Sequence, residues 1–133
     1  MKRIYIPNQT FTGLNNTINV QVLVEEFSGV AAVSLEITYD TQVLHFEKLE
    51  NTSDLFKCDY NEYSPGYIRV CRVGRVPDIS DGSPIFSLTF TTLQATTTTI
   101  DFTTETLGLC EIADWDAQIL PFNFQDGQIT IEN

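Results

Sequence analysis

The chain has 133 residues, of which 42% are hydrophobic and 19% charged, a balance that excludes a disordered polymer. Eighteen acidic residues against seven basic ones give a net charge of −11, which would repel nucleic acids and anionic membranes. No apolar run approaches the roughly 20 residues that cross a bilayer. These values predict one soluble, monomeric domain over residues 1–133, with neither nucleic acid nor membrane insertion among its interactions.

The N-terminal residues and the cysteines set broad limits on where the protein works. Met1–Pro7 contains two basic residues but no apolar stretch long enough for a signal peptide. The protein is therefore either intracellular or a module of a larger secreted chain. Cys58, Cys71 and Cys110 match neither a zinc signature nor a Cys-x-x-Cys redox pair. They are predicted to be ordinary thiols, with one disulfide and one free thiol as the alternative.

Alternation of apolar and polar residues with a period of two predicts β-strands along the whole chain. β-Branched residues such as the run Thr96–Thr99 favour the same structure. The predicted strands, in chain order, are Ile4–Ile6, Thr17–Val24, Ala32–Tyr39, Leu44–Leu49, Tyr67–Val73, Ile85–Leu93, Thr98–Thr103, Gln118–Phe124 and Gly127–Glu132. These nine strands predict an all-β fold, a two-sheet β-sandwich with jelly-roll topology.

Three connections carry specific expectations. Tyr39 is predicted to end an inward-facing row, after which Asp40 bonds to the amides of its own turn and the chain returns to the core at Leu44. The longest connection runs from residue 51 to residue 64, with one possible helical turn at Asp54–Lys57. Asp126-Gly127 is predicted to be a tight hairpin turn.

Few residues in the sequence suggest catalysis or metal binding. The one histidine, His45, lies between Leu44 and Phe46 on a predicted strand and should face outward, away from any site. Asp114 and Asp116 around Trp115 are the only candidates for a pair of catalytic carboxylates, and an acidic, solvated loop is the favoured interpretation. With Asp78 and Asp81 they lack the ligand count of a calcium site. The sequence therefore predicts no catalytic residue, no metal and no cofactor.

Several motifs in a fixed order resemble the cohesin family. The leading one is Tyr39-Asp40-Thr41-Gln42-Val43-Leu44-His45-Phe46, which is similar to the cohesin pattern Y-D-x-x-V-L-x-F, with Thr41 where the family often has proline. The resemblance extends from Thr17 to Glu132. The other motifs are Phe27-Ser28-Gly29-Val30, Gly66-Tyr67-Ile68-Arg69-Val70, Ile85-Phe86-Ser87-Leu88-Thr89-Phe90 and Asp126-Gly127-Gln128-Ile129-Thr130-Ile131.

This resemblance implies a non-catalytic receptor module of an extracellular or cell-surface scaffold protein. Such a module captures dockerin modules, which carry their own calcium. In cohesins the binding face is the sheet of strands eight, three, six and five. Well-studied members have an asparagine and an aspartate on strand three where this chain has Ala32 and Ser34, which implies a divergent dockerin specificity.

Counting the predicted strands in order projects that face onto this chain. Strand eight would bury Leu120, Phe122 and Phe124, and its Pro121 would restrict it to a sheet edge. Arg72 falls at an inward position, which predicts a bulge or a place at the rim. The projected partner-binding residues are Ala32, Ser34, Glu36, Arg69, Cys71, Val73, Ser87, Thr89, Thr91, Ile119, Pro121 and Asn123.

Two alternatives stay open at the level of sequence. A carbohydrate-binding or adhesive module would stack sugars on exposed aromatic residues, for which Tyr60, Tyr63, Tyr67 and Trp115 are the candidates. A structural sandwich in a surface layer, pilus or virion would fit the same strand pattern.

Overall fold

The computed structural model describes residues 1–52, 56–74 and 76–133, and within them it contains twelve β-strands. Of the predicted helical turn at 54–57, residues 54 and 55 lie outside the described residues. In chain order the strands are β1 (Arg3–Tyr5), β2 (Gln9–Thr12), β3 (Thr17–Glu25), β4 (Ala32–Tyr39), β5 (Leu44–Asn51), β6 (Asp59–Ser64), β7 (Tyr67–Val73), β8 (Ser83–Thr92), β9 (Thr97–Phe102), β10 (Glu111–Ala113), β11 (Asn123–Gln125) and β12 (Gly127–Glu132).

The strands form two sheets that enclose one core, so the predicted all-β sandwich is confirmed, with twelve strands in place of nine. The five-stranded sheet has the order β11-β1-β3-β8-β5. The seven-stranded sheet has the order β2-β12-β9-β4-β7-β6, and β10 pairs with β4 beside β9. Over the described ranges, no helix is long and apolar enough to cross a membrane.

The core lies between the sheets, where the inward residues of each strand pack together. On β4 the inward row is Val33, Leu35 and Ile37, and Phe90 of β8 meets it from the other sheet with no exposed surface. Burial of these side chains supplies most of the favourable free energy of folding, at about 25 cal/mol for each Å² removed from water.

The turn after β4 is built as predicted. The Asp40 carboxylate accepts a hydrogen bond from the Gln42 amide at 2.9 Å. The Tyr39 ring packs edge-on against Phe90, with centroids 5.1 Å apart. Its hydroxyl donates to Glu62 and accepts from the Phe46 amide. At the end of β4 this hydroxyl therefore links β4 to β5 and β6.

Strand β6 was predicted as part of a long connection, and this was wrong. The sequence Asp-Tyr-Asn-Glu-Tyr-Ser forms an edge strand that pairs only with β7 among the described strands. Its side chains are exposed or half-buried on both sides, so the apolar alternation that identifies a buried strand is missing. Strands β2 and β10 were missed as well. Leaving out β6 moves every later strand one further place forward in the predicted count.

Two further predictions are corrected. Residues 118–122 do not form a strand: Ile119 makes a single bridge to Ala113, and Pro121 is exposed. Of the two alternatives for Arg72, the bulge is wrong, because Arg72 pairs in regular register with Val33. Its half-buried side chain places the guanidinium over the Phe56 ring and donates to the Lys57 carbonyl.

The first and last strands cross between the sheets side by side. β1 pairs in parallel with β11 in one sheet, and β2 pairs in parallel with β12 in the other. Asp126 alone separates β11 from β12, so Asp126-Gly127 is a crossing point and not the predicted hairpin turn. Glycine is required at 127 because a Cβ there would lie 2.3 Å from the Ile6 side chain.

Candidate interaction face

The outer surface of β6, β7, β4 and β10 is the region of the molecule that best fits a binding site. Strand register places its side chains in rows that run across the strands. We call this surface the candidate face, and it consists of Asp59, Asn61, Tyr63, Tyr67, Arg69, Cys71, Val73, Ala32, Ser34, Glu36, Thr38, Glu111, Ala113 and Ile119.

One end of the candidate face is an apolar row. Val73 pairs with Ala32, Ala32 with Ala113, and Ala113 with Ile119, so the four side chains lie side by side. Val73 is 85% exposed and Ile119 is 58% exposed. β-Branched side chains normally favour burial, so this row leaves apolar surface in water that a partner could cover.

The middle of the candidate face is polar and fixed in place. The Arg69 guanidinium donates to the Ser34 hydroxyl at 2.8 Å and to the Leu109 carbonyl at 2.9 Å. Cys71 and Glu111 flank Ser34 on the neighbouring strands. Because Arg69 holds the loop before β10, this part of the face is already ordered without a partner.

Glu36 lies on the candidate face but is covered by its neighbours. Only 4% of it is exposed, because the Tyr63 hydroxyl donates to its carboxylate at 2.5 Å. This hydrogen bond and partial burial raise the pKa of the Tyr63 hydroxyl. The Tyr63 and Tyr67 rings lie 5.9 Å apart at 42° to each other and stay about half exposed. The second end of the face is therefore aromatic.

A cysteine closes a gap beside Glu36. β9 pairs with β4 from Ile37 onward and β10 pairs with it up to Ser34, which leaves a break between them. The Glu36 amide donates to the Cys110 sulfur at 3.4 Å, and the thiol donates back to the Glu36 carbonyl. Burial raises the pKa of the Cys110 thiol, so this seal stays protonated and neutral.

An acidic cavity of about 440 Å³ adjoins the aromatic end. Glu36, Asp101, Glu105 and Asp126 are among its lining residues. Burial raises the pKa of Asp101, and repulsion from Asp126 adds to that rise. The Asp126 carboxylate accepts a hydrogen bond from the Phe102 amide, so it serves the fold as well as the cavity.

The chain matches a known protein family. The family model described as "Cohesin domain" matches residues 10–131. The chain belongs to the cohesin family. Among curated proteins no match was found.

Solved cohesin structures share the fold at low sequence identity. A chain of a type I cohesin–dockerin complex from Clostridium thermocellum superposes with a TM-score of 0.80 at 17% identity, covering 98% of each chain. The non-cellulosomal cohesin of the archaeon Archaeoglobus fulgidus gives 0.80 at 19% identity, covering 99% of this chain and 91% of that one. The cohesin module of a Clostridium perfringens family 33 glycoside hydrolase gives 0.80 at 12%, covering 98% and 96%.

In this cohesin domain the structure brings together seven of the projected partner-binding residues. These are Ala32, Ser34, Glu36, Arg69, Cys71, Val73 and Ile119.

The other five projected residues lie elsewhere. Ser87, Thr89 and Thr91 belong to β8, in the five-stranded sheet, because the omission of β6 made β8 the sixth strand in the count. Asn123 pairs with β1 in that same sheet, and Pro121 lies outside any strand. The projected set therefore cannot act as one surface.

The sequence prediction missed most of the edge of the candidate face. Asp59, Asn61 and Tyr63 were assigned to a connection, and Glu111 and Ala113 to no element. The signal available for β6 was weak: Tyr60 and Glu62 alternate with outward Asp59, Asn61 and Tyr63. The Tyr60 ring packs edge-on against Phe46, which identifies the inward side.

The aromatic residues proposed for sugar stacking do not form one platform. Tyr60 faces Phe46, Tyr63 and Tyr67 are tilted against each other, and Trp115 lies beside Gly29 and Val30 at the other end of β4.

The acidic turn around Trp115 is a local structure. The Asp114 carboxylate accepts hydrogen bonds from the Asp116 and Gln118 amides, each at 2.9 Å. Among the described residues, no group of three or more His, Cys, Asp or Glu side chains could hold a metal ion.

Proposed function

We propose that this cohesin domain is a non-catalytic receptor module that binds a dockerin through the candidate face. This proposal rests on the apolar row of Val73, Ala32, Ala113 and Ile119. The row lies beside a polar centre that Arg69 already holds in place. Interfaces combine apolar contacts with ordered polar groups in this way. A chain with the same fold occurs in a solved type I cohesin–dockerin complex, and this supports a dockerin as the partner.

A helix laid across the strands of this face would bury its apolar side chains on the row and place polar ones over Arg69 and Ser34. Ala32 offers no hydrogen bond and Ser34 is already bonded to Arg69. Hydrogen bonds from these two side chains therefore contribute little to the choice of partner, and recognition depends more on apolar contact. This supports a dockerin specificity that differs from that of cohesins with asparagine and aspartate there.

The chemistry of the remaining residues favours binding over catalysis. The His45 side chain is 64% exposed on the five-stranded sheet, and its ring lies 3.5 Å from the Glu47 carboxylate. The Asp114 carboxylate caps its own turn. A catalytic pair needs a nucleophile or base held beside a second functional group in a cleft, and neither of these residues is placed so.

The decisive experiment is a binding array of dockerin modules probed with the intact domain, with soluble polysaccharides as a parallel arm. Saturable binding to at least one dockerin, and to none of the polysaccharides, is expected. Binding to a polysaccharide alone would replace this proposal with a carbohydrate-binding function. Absence of binding in both arms would contradict the proposal and favour a structural role.

Calcium is assigned to the dockerin and not to this domain. A chelator should therefore dissociate the complex, because the partner loses its calcium-dependent fold, while the melting temperature of the isolated domain stays unchanged. Calorimetry of the free domain with and without the chelator provides the control. A fall of several degrees in the free domain would show that this chain holds a metal itself.

The proposed setting is a scaffold protein outside the cell or on its surface, in which the domain acts as a monomer. Light scattering of the purified domain should give a molar mass close to the 15.0 kDa of one chain. A stable dimer would contradict the monomeric part of the proposal.

A further inference from the structure

Trp115 is an exposed aromatic residue that the candidate face does not include. It is the one tryptophan of the chain and is 62% exposed. The Asp114 carboxylate bonds to the Asp116 and Gln118 amides, and the Ala117 amide bonds to the Asp114 carbonyl, so the turn that carries Trp115 is closed on itself. Because the backbone of this turn is already ordered, only the Trp115 side chain has to be ordered when a partner covers it.

The Trp115 side chain forms one wall of a cleft of about 270 Å³ at the end of the sandwich. The other lining residues are Gly29, Val30, Val76, Pro77 and Asp78. Among the described residues of this lining Asp78 alone is charged, and one of its oxygens accepts a long hydrogen bond of 3.4 Å from the Gly29 amide. The cleft therefore combines apolar walls with one carboxylate.

The cleft continues the apolar row of the candidate face. The Ala31 amide donates to the Ala113 carbonyl at 2.8 Å, and the Gly74 amide donates to the Ala31 carbonyl at 2.9 Å. These bonds extend the pairing of β10, β4 and β7 beyond the row, toward Val30 and Val76 of the cleft. A partner that covers Val73 and Ala113 therefore lies beside the strand ends that lead to the cleft.

We propose that this cleft binds a basic side chain, arginine or lysine, of the dockerin, an inference that rests on the proposed function. The aliphatic stem of such a side chain packs on the half-exposed Pro77, as long cationic residues do on apolar surface. Its charged head lies between the indole and the Asp78 carboxylate. Tryptophan is the strongest cation–π acceptor among side chains, and a guanidinium also stacks on its ring.

Charge complementarity supports a cationic occupant. The domain has a net charge of −11, so a basic contact residue on the partner is attracted before contact and is neutralised in the cleft. A neutral apolar side chain would fill the same cleft but desolvate the Asp78 carboxylate without supplying a counter-charge, which costs binding free energy. Trp115 and Asp78 would thus select among dockerins that the apolar row alone cannot distinguish.

The test uses a dockerin retained by the binding array and measures affinity by calorimetry. Trp115→Ala and Asp78→Asn should each weaken binding by about 5- to 30-fold, and Trp115→Phe should lose less than Trp115→Ala. Replacing the dockerin's lysines and arginines one at a time with glutamine should identify one whose loss is non-additive with Asp78→Asn. Because the chain has one tryptophan, its fluorescence should change in that complex.

The control is Gln21→Asp, an exposed position on the other sheet, which should bind as wild type. Wild-type affinity in both cleft variants, together with weakened binding in Val73→Asp, would overturn this inference and leave the proposed function intact. Additivity of Asp78→Asn with every basic residue of the dockerin would also overturn it. If no dockerin binds at all, both proposals fail.

Discussion

The outer surfaces of the two sheets differ in how much apolar side chain they expose to water. On the five-stranded sheet, Thr89 is only 3% exposed because Asn19 and Glu50 reach over it, with its hydroxyl bonded to both. No strand of this sheet exposes a large apolar side chain among the described residues. On the candidate face, Val73 and Ile119 have no such cover.

Outward alternation alone therefore does not define a binding surface. Long polar side chains on adjacent strands satisfy one another on the five-stranded sheet, which leaves a partner little to gain. On the candidate face the short residues Ala32 and Ala113 sit between Val73 and Ile119. A flat apolar strip results, and its burial is available to a partner.

The largest effect should come from truncating Phe90, a core residue that contacts both sheets. Phe90 contacts Tyr39 of one sheet and Phe46 of the other, with no exposed surface. Phe90→Ala should lower the free energy of unfolding by about 3–5 kcal/mol, because a cavity opens between the sheets. Urea unfolding measures this, with Gln21→Ala as an exposed control that should change stability by less than about 0.5 kcal/mol. A loss below 1 kcal/mol would show that the two sheets do not depend on this contact.

A new negative charge should affect dockerin binding on the candidate face but not on the five-stranded sheet. Val73→Asp or Ile119→Asp should weaken dockerin binding by roughly 2 kcal/mol or more, because the new charge is buried against the partner without a counter-charge. The melting temperature should hardly change, since both side chains are exposed. Gln21→Asp adds the same charge to the other sheet and should bind normally. If both face variants bind like the wild type, the candidate face is assigned wrongly.

A smaller effect should appear in alkali and come from Cys58, a buried core residue directly before β6. Burial raises the pKa of the Cys58 thiol to about 12, against about 8.5 in an unfolded chain. Between these values the unfolded state releases the proton first, so stability falls as pH rises, by up to about 1.4 kcal/mol per pH unit.

Unfolding of Cys58→Ala measured from pH 7 to 10 should show a shallower decline than the wild type, whatever its starting stability. Cys71→Ala removes an exposed thiol and serves as the control, with the wild-type slope expected. Equal slopes in all three proteins would contradict the burial argument.

The smallest effect should come from the five-stranded sheet in acid. The Arg3 guanidinium lies 2.7 Å from the Glu25 carboxylate, and this hydrogen bond lowers the Glu25 pKa. Its contribution is present above the unfolded pKa of glutamate and is lost as pH falls through the lower, folded value. Glu25→Gln should therefore flatten the acid limb of stability slightly, since exposed pairs contribute little. Thermal unfolding from pH 3 to 6 measures this, and a Glu25→Gln curve parallel to the wild type would argue against the pair.

The sequence alone predicted the central strands well. Strand bounds at Ala32–Tyr39 and Tyr67–Val73 agree with the structure, because the inward residues Val33, Leu35, Ile37, Ile68 and Val70 are apolar and buried and give a clear period of two. The turn at Asp40 was also predicted, since its carboxylate acts on amides two residues away. Local chemistry determines such features, and local chemistry is what a sequence displays.

The candidate site was only half predictable, for a physical reason. Edge strand β6 has exposed or half-buried side chains on both sides, so its alternation is too weak to detect, and its omission assigned β8 to the wrong sheet. The bridge from Ile119 to Ala113 and the Cys110 seal depend on partners far along the chain. Long-range register of this kind depends on the packing of the whole sandwich, which no short window of sequence contains.

The paired crossing of the first and last strands has a mechanical consequence. Arg3 lies level with Asn123 and Thr12 with Glu132, so residues 3–12 and 123–132 run side by side in the same direction. Tension applied through the two ends of the domain would slide these segments past each other and load their hydrogen bonds simultaneously in shear. Peeling them apart one bond at a time would need a different direction of pull. A module strung within a longer chain would thus resist a pull along that chain with its whole set of terminal bonds.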